Sequence, residues 1–259
     1  ADAAMAAIVE VAPTASLEVL PVDLADLDSV AAAAEQFRAG HDRLDVLVNN
    51  AGLMALPHQR TVQGFEMQLG VNHLAAFALT GHLLDRILAT PAARVVAISS
   101  QGHRPGTIHF DDLQLEQHYG PWVAYFQSKL ANLLFTFELQ RRLAAKRASA
   151  IAVAAHPGGS RTNLGHENPG GIVNTVGDKI RPVINFVMQP AAMGALPTLR
   201  AATDPAVKGG EYYGPDGLWQ QRGYPKRVGS TKRAHDPVAA ARLWAVSAEL
   251  TGVSFGALE

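Results

Sequence analysis

With 259 residues and 48% apolar content, the chain can bury one large core, and α/β chains of this length often stay a single domain, so one domain over residues 1–259 is expected. A net charge of -1 provides no basic footprint with which to displace counterions from nucleic acid. The absence of cysteine excludes disulfides, thiolate-held metals and thiol nucleophiles, and no apolar run is long enough to span a bilayer.

In chain order, residues 3–9 read as the end of a helix. Residues 17–22 form a short apolar run between Ser16 and Asp23, predicting a strand. A helix is predicted over 29–37, stopped by Gly40. Residues 45–49 are a compact run of the kind buried on both faces of a sheet. Residues 71–88 read as helical, with Pro91 closing them, and 94–99 as another buried strand. The segment 125–143 predicts a long helix that is apolar on more than one face, because Leu130, Leu133, Leu134, Phe135 and Phe137 cannot share one stripe. Such a helix either packs a sheet on one side and a partner subunit on the other, or is wholly internal. Residues 150–155 predict a third buried strand, broken by His156 and Pro157. A looser region with Gly170, Gly171 and Gly177 runs to Met188. Then come a helix near 191–201, a strand near 211–213 and a terminal helix over 237–250. The basic residues Lys226, Arg227, Lys232 and Arg233 read as a solvated loop.

Strands that are continuously apolar and alternate with helices predict a parallel sheet covered on both faces. Ligands of such sheets bind beyond the carboxyl ends of the strands. Asp23, the run Asn49, Asn50, Ala51 and Gly52, the pair Ser99 and Ser100, and Pro157 with Gly158 all fall at those ends.

Tyr125 and Lys129 are four apart on a predicted helix and share a face. An ammonium beside a phenol favours the phenolate, and a tyrosine tuned toward working pH can exchange a proton with an alcohol or carbonyl oxygen. Alone, that spacing arises often by chance. Here it is joined by Asn49 to Gly52, by Asn72, by Ser99 and Ser100, and by His156, Pro157 and Gly158.

Together these residues resemble the short-chain dehydrogenases/reductases, in the branch containing the retinol dehydrogenases and the WW-domain-containing oxidoreductase. The branch features are Asn72, His73 and Leu74, the run from Ser99 to His103, the run from Ile108 to Leu113, and the stretch from Ala124 to Phe135. The resemblance covers essentially the whole chain and implies a Rossmann-type doubly wound α/β sheet. It implies hydride transfer between NADP(H), or alternatively NAD(H), and a carbonyl or alcohol. Tyr125 would be the general acid in reduction and the general base in oxidation. Lys129 would hold the nicotinamide ribose hydroxyls and tune Tyr125, Ser100 would hydrogen-bond the reacting oxygen, and Asn72 would complete a proton relay through a water and Lys129. Asn50, Ala51 and Gly52 would lie along the adenosine half, Asp23 and Leu24 would face the adenine, and Ser99 would line the cofactor cleft. Pro157, Gly158 and Thr162 would border the nicotinamide. The resemblance also implies a homodimer or homotetramer, a cytoplasmic location and a small, lipophilic substrate lined by residues 102–107 and 164–188. His166 and Glu167 would lie in a solvated lid over that substrate. His109, Asp111, Asp112, Glu116 and His118 fit no metal-binding spacing, and no metal is expected.

The family begins with a strand, a Gly-rich phosphate turn, a helix and a second strand, whereas no glycine precedes Gly40 here. The first β-α-β element is therefore expected to lie upstream of Ala1, with its strand between the 17–22 side of the sheet and the strand at 46–48. The residue that selects NAD or NADP would lie in that upstream part. The rival reading from another class is a non-catalytic dinucleotide sensor or scaffold. A complete set of proton-relay residues argues against it, since a sensor needs none.

Overall fold

The computed structural model of the chain describes residues 1–160 and 188–259. Its sheet is built from the short β-branched and small apolar runs. Val46–Asn49 forms β1, Arg94–Ile98 forms β2 and Ile151–Ala155 forms β3, paired side by side in parallel. Only the first residue of β2 and of β3 is partly exposed, as expected of strands covered on both faces. β4 (Tyr212–Pro215) extends the parallel set beside β3, and β5 (Pro225–Arg227) returns antiparallel along it, giving the order β1-β2-β3-β4-β5. With helices on both faces, this is a Rossmann-type α/β sheet.

Helix α1 (Asp2–Val11) buries none of its residues. Helix α2 (Leu27–Gly40) starts where Asp26 accepts a hydrogen bond from Asp28 N at 3.1 Å, and it buries Val30, Ala33 and Ala34. The helix expected over 71–88 is interrupted. It runs as α3 (Met67–Leu69), a π-turn (Gly70–Leu74) in which Ala75 N reaches back to Gly70 O, α4 (Ala75–His82) and α5 (Leu84–Ala89). The π-turn carries Asn72 and His73, and such turns recur at functional sites. Helix α6 (Pro121–Ala145) begins a turn earlier than expected, with Pro121 pre-set for the first helical position, so Tyr125 stands in its second turn. Helices α7 (Ala191–Thr203) and α8 (Pro237–Thr251) complete the set, the latter capped by Asp236, which accepts from Val238 N and Ala239 N.

Alternate strand residues divide between the faces. Val95, Ala152 and Ala154 meet α4, α6 and α8 on one side, where Phe77, Phe135, Trp244 and Phe255 pack ring against ring. Val96, Val153 and Tyr213 meet Ala201 of α7 on the other.

Three expectations are corrected. Residues 17–22 form no strand. Pro21 interrupts the run and has no N–H to donate, and β1 has no hydrogen-bonded neighbour on that side among the described residues. Lys226 and Arg227 lie in edge strand β5, not in a loop, with Arg227 paired to Glu211 at 3.2 Å. The apolar excess of α6 is buried within the chain itself. Leu130, Leu133 and Leu134 pack against Leu69, Leu74, Ala234 and Leu243, and Phe137 stacks on His235, which removes the ground on which a subunit seam was expected there.

Leu133 is 0% exposed, so Leu133→Ala should cost about 2–5 kcal/mol in denaturant unfolding. Val238→Ala, at a side chain 75% exposed, should change stability by less than about 0.5 kcal/mol.

Candidate active site

Helix α6 lies across the carboxyl end of β2 and is fastened there. The Ile98 carbonyl accepts from Lys129 Nζ at 3.2 Å and from Asn132 Nδ2 at 3.0 Å, while Ser99 Oγ donates to Lys129 O at 2.8 Å. This seam fixes both Lys129 and the two serines relative to Tyr125. The chain then turns sharply. Ser100 Oγ accepts from Gly102 N at 3.1 Å, and Ser100 O accepts from His103 Nδ1 at 2.6 Å. Gly102 lies flat against the phenol, where a Cβ would come within 2.9 Å of Tyr125 Cε1. Ser100 and Tyr125 both line the same cleft, and the Ser100 hydroxyl acts on the Tyr125 phenol to lower its pKa.

Asn72, on the π-turn, is fully engaged. Its Oδ1 accepts from Leu53 N at 2.7 Å, and its Nδ2 donates to Leu53 O at 3.0 Å and to Ser128 Oγ at 2.8 Å. The side chain thus ties the loop after β1 to α6. Above it lies Gly52, where a Cβ would come within 3.0 Å of Asn72 Oδ1 and 3.3 Å of Lys129 Nζ. Glycine at this position keeps the approach to the ammonium open.

These groups border a cleft of about 610 Å³. Asn50, Gly52, Ser99, Ser100, Tyr125, Lys129, Pro157 and Gly158 all line it, so the structure brings most of the expected site residues together. Asp23 and Leu24 do not line it: Asp23 Oδ1 accepts from Ala25 N at 2.9 Å and Leu24 packs on the core. Ala51 is exposed beside the cleft lining. Asn49 donates to Thr80 Oγ1 at 3.1 Å, a structural tie. Of residues 102–107, Gly102 lines the cleft, whereas Thr107 accepts from Arg233 Nη1 at 2.8 Å on another side. Thr162, His166, Glu167 and the stretch 164–187 lie outside the described residues, while Met188 lines the cleft. Among the acidic residues near 109–118, Asp111, Asp112 and Glu116 make local or surface contacts. Asp112 caps a turn by accepting from Glu116 N and Gln117 N, and Glu116 pairs with Arg60 at 3.0 Å.

The apolar wall was not anticipated from the sequence. Met54, Trp122 and Phe126 face the cleft, with Trp122 edge-on to Tyr125 at 6.1 Å and tilted over Phe126 at 5.8 Å. Trp122 and Phe126 are one helical turn apart. A helix predicted to start at Tyr125 leaves Trp122 off that face, whereas the helix from Pro121 puts it there.

The electrostatics differ from the simple Tyr–Lys expectation. Burial pushes the Tyr125 hydroxyl up, and the Ser100 hydroxyl acts in the opposite direction. The Lys129 ammonium lies 5.8 Å from the ring centroid and is itself pushed down to about 8 by burial. The residues present fit the nicotinamide half of a dinucleotide. A buried ammonium with three donors gives one to Ile98 O and borders a glycine-floored cleft, a suitable seat for a ribose diol.

The short chain dehydrogenase family model matches residues 1–170. Human retinol dehydrogenase 13 is 40% identical over 238 residues, spanning 90% of this chain and 68% of that protein. The crystal structure of a protein from Mycobacterium Paratuberculosis has a TM-score of 0.72 at 44% identity, covering 90% of this chain and 75% of that one. A Beutenbergia cavernae protein described as an NAD(P) dependent gluconate 5-dehydrogenase, with bound NADP, has a TM-score of 0.61 at 26% identity, covering 82% of this chain and 80% of that one.

The buried lysine has a consequence for stability. Its folded pKa, about 8, lies below the ordinary 10.5, so between these values the unfolded chain holds more protons and stability rises with pH. Below about pH 8 the cost of burying the charge is fully present, roughly 3 kcal/mol. Lys129→Met should therefore be at least as stable as the natural protein at pH 7 in urea unfolding, and its advantage should shrink toward pH 10. An advantage that does not change with pH would contradict this account.

Proposed function

The chain belongs to the short-chain dehydrogenase family, in its retinol dehydrogenase branch, and on that premise we propose that this NAD(P)-dependent oxidoreductase interconverts an apolar carbonyl and its alcohol with Tyr125 as the proton donor and acceptor. One observation carries the reading: Ser100, Tyr125 and the buried Lys129 ammonium line one wall of the same cleft.

When bound, the dinucleotide gives or takes the hydride. In reduction, the Tyr125 hydroxyl hands its proton to the substrate oxygen, and burial suits that role by keeping the phenol protonated at neutral pH. Ser100 hydrogen-bonds the same oxygen as negative charge gathers on it. In oxidation Tyr125 takes the alcohol proton, and the upward displacement of its pKa makes that direction faster as pH rises. Lys129 holds the ribose hydroxyls through the donors not given to Ile98 O. Asn50, Gly52 and Ser99 line the floor, Pro157 and Gly158 would border the nicotinamide, and exposed Ala51 would lie toward the adenosine. Asn72 acts here as a positioning residue, since its side chain fixes Leu53 and Ser128. NADP is the form proposed, supported by the NADP-containing Beutenbergia cavernae relative. Met54, Trp122 and Phe126 favour an apolar substrate, in keeping with the names of the retinol dehydrogenase relatives.

Tyr125→Phe should lower carbonyl reduction by roughly 100- to 10,000-fold, the usual span of a general acid, with NADPH affinity nearly unchanged. The measurement is NADPH oxidation by the complete protein with an apolar aldehyde, alongside an NADPH fluorescence titration. A Phe variant that keeps its activity would overturn the assignment.

A further inference from the structure

Two loops meet at the floor of the cleft. One leaves β2 and carries Ser100, and the other leaves β3 and carries Pro157 and Gly158. A third segment, the turn after β4, touches both. In that turn Gln220 has a left-handed backbone, with φ of 58, beside Trp219 with φ of 50. Such conformations are costly for residues with a Cβ, and two in succession persist only where the surroundings over-determine them. The Trp219 indole does not hold the turn, because it is exposed.

The Gln220 side chain does. Its Oε1 accepts from Gln101 Nε2 at 2.6 Å and lies 3.1 Å from His156 Nε2. Gly158 N donates to His156 Nδ1 at 3.2 Å, which makes Nδ1 the acceptor and puts the ring proton on Nε2. His156 Nε2 therefore donates to Gln220 Oε1 as well, and Gln101 Nε2, though 3.2 Å from the same ring nitrogen, gives its proton to the nearer Gln220 Oε1. Gln101 Oε1 accepts from Arg104 Nε at 2.5 Å, which fixes the direction of its amide. One oxygen thus serves two donors, one from each loop. The backbone of the turn reinforces the contact. Gly159 N donates to Gln221 O at 2.8 Å, and a Cβ on Gly158, whose φ is 67, would stand 2.9 Å from Gln220 O. Burial keeps His156 neutral, with its pKa down to about 4, so the arrangement holds across working pH.

The geometry assigns Gln220 as a positioning residue that sets the separation between Ser100 and the edge formed by Pro157 and Gly158, and so between the reacting oxygen and the nicotinamide. This rests on the hydride-transfer reading of the cleft. Glycine separates this role from a merely structural one. Gln220→Gly relaxes the left-handed backbone and removes the amide together.

In the complete protein, Gln220→Gly should keep or raise the unfolding midpoint. It should also weaken NADPH binding and slow hydride transfer by roughly 10- to 100-fold, the scale expected of a small misplacement. The isotope effect with 4-deuterated NADPH should increase as the chemical step becomes limiting. Gln220→Glu, which keeps an oxygen acceptor, should retain most of the rate. The proposal is overturned if the Gly variant keeps the natural rate and NADPH affinity, if its rate falls only in step with its unfolding midpoint, or if the Glu variant is as impaired as the Gly variant. Tyr125→Phe is measured in parallel. If it stays active, the hydride-transfer reading has failed, and the NADPH dissociation constant alone decides the role of Gln220.

Discussion

The site depends on the seam between the end of β2 and the third and fourth turns of α6. One carbonyl, that of Ile98, binds the side chains of Lys129 and Asn132, and the next residue returns a hydroxyl to the backbone of Lys129. A charged ammonium is thereby held 4% exposed. That burial is unfavourable in itself, and the depressed pKa is its signature. The cost is accepted where the chemistry needs a donor in a dry place, and the buried apolar face of α6 offsets it.

Several of the segments around the seam are held by amide side chains, not by charge pairs. Asn72 ties the loop after β1 to α6. Gln68 does the same one turn earlier, accepting from Ala55 N at 2.7 Å and donating to Pro121 O at 2.9 Å. Gln189 donates to Pro157 O at 2.8 Å and holds the opposite edge. Neutral amides both give and accept, so they can fasten backbone segments without adding a field that would compete with Lys129. The strong ion pairs are elsewhere, as at Glu138 with Arg141 and Arg142 on the far end of α6.

Most of this frame is legible in the sequence. Val46 to Asn49, Arg94 to Ile98 and Ile151 to Ala155 announce buried parallel strands, and their ends carry the residues that meet at the cleft. Tyr125 and Lys129 share a face because helical geometry requires it. What stayed hidden depends on contacts between distant segments. Residues 17–22 look like a strand only if Pro21 is ignored. The π-turn at Asn72 leaves no mark in a hydrophobic pattern. The net pKa of Tyr125 follows from depth of burial, which spacing does not encode. Gln220 has no motif, because its meaning comes from Gln101 and His156 more than fifty residues away.

The aromatic cluster under the sheet has a temporal consequence. Phe77, Phe135 and Trp244 close upon Phe255, which is fully buried and far along the chain from Phe77. The parallel strands are likewise joined only by long crossovers, so few of their contacts are local. A nascent chain that has already made Ser100, Tyr125 and Lys129 therefore carries an open hydrophobic hollow until Trp244 and Phe255 have been made. Until then the incomplete sheet exposes apolar surface of the kind that drives association between unfinished chains.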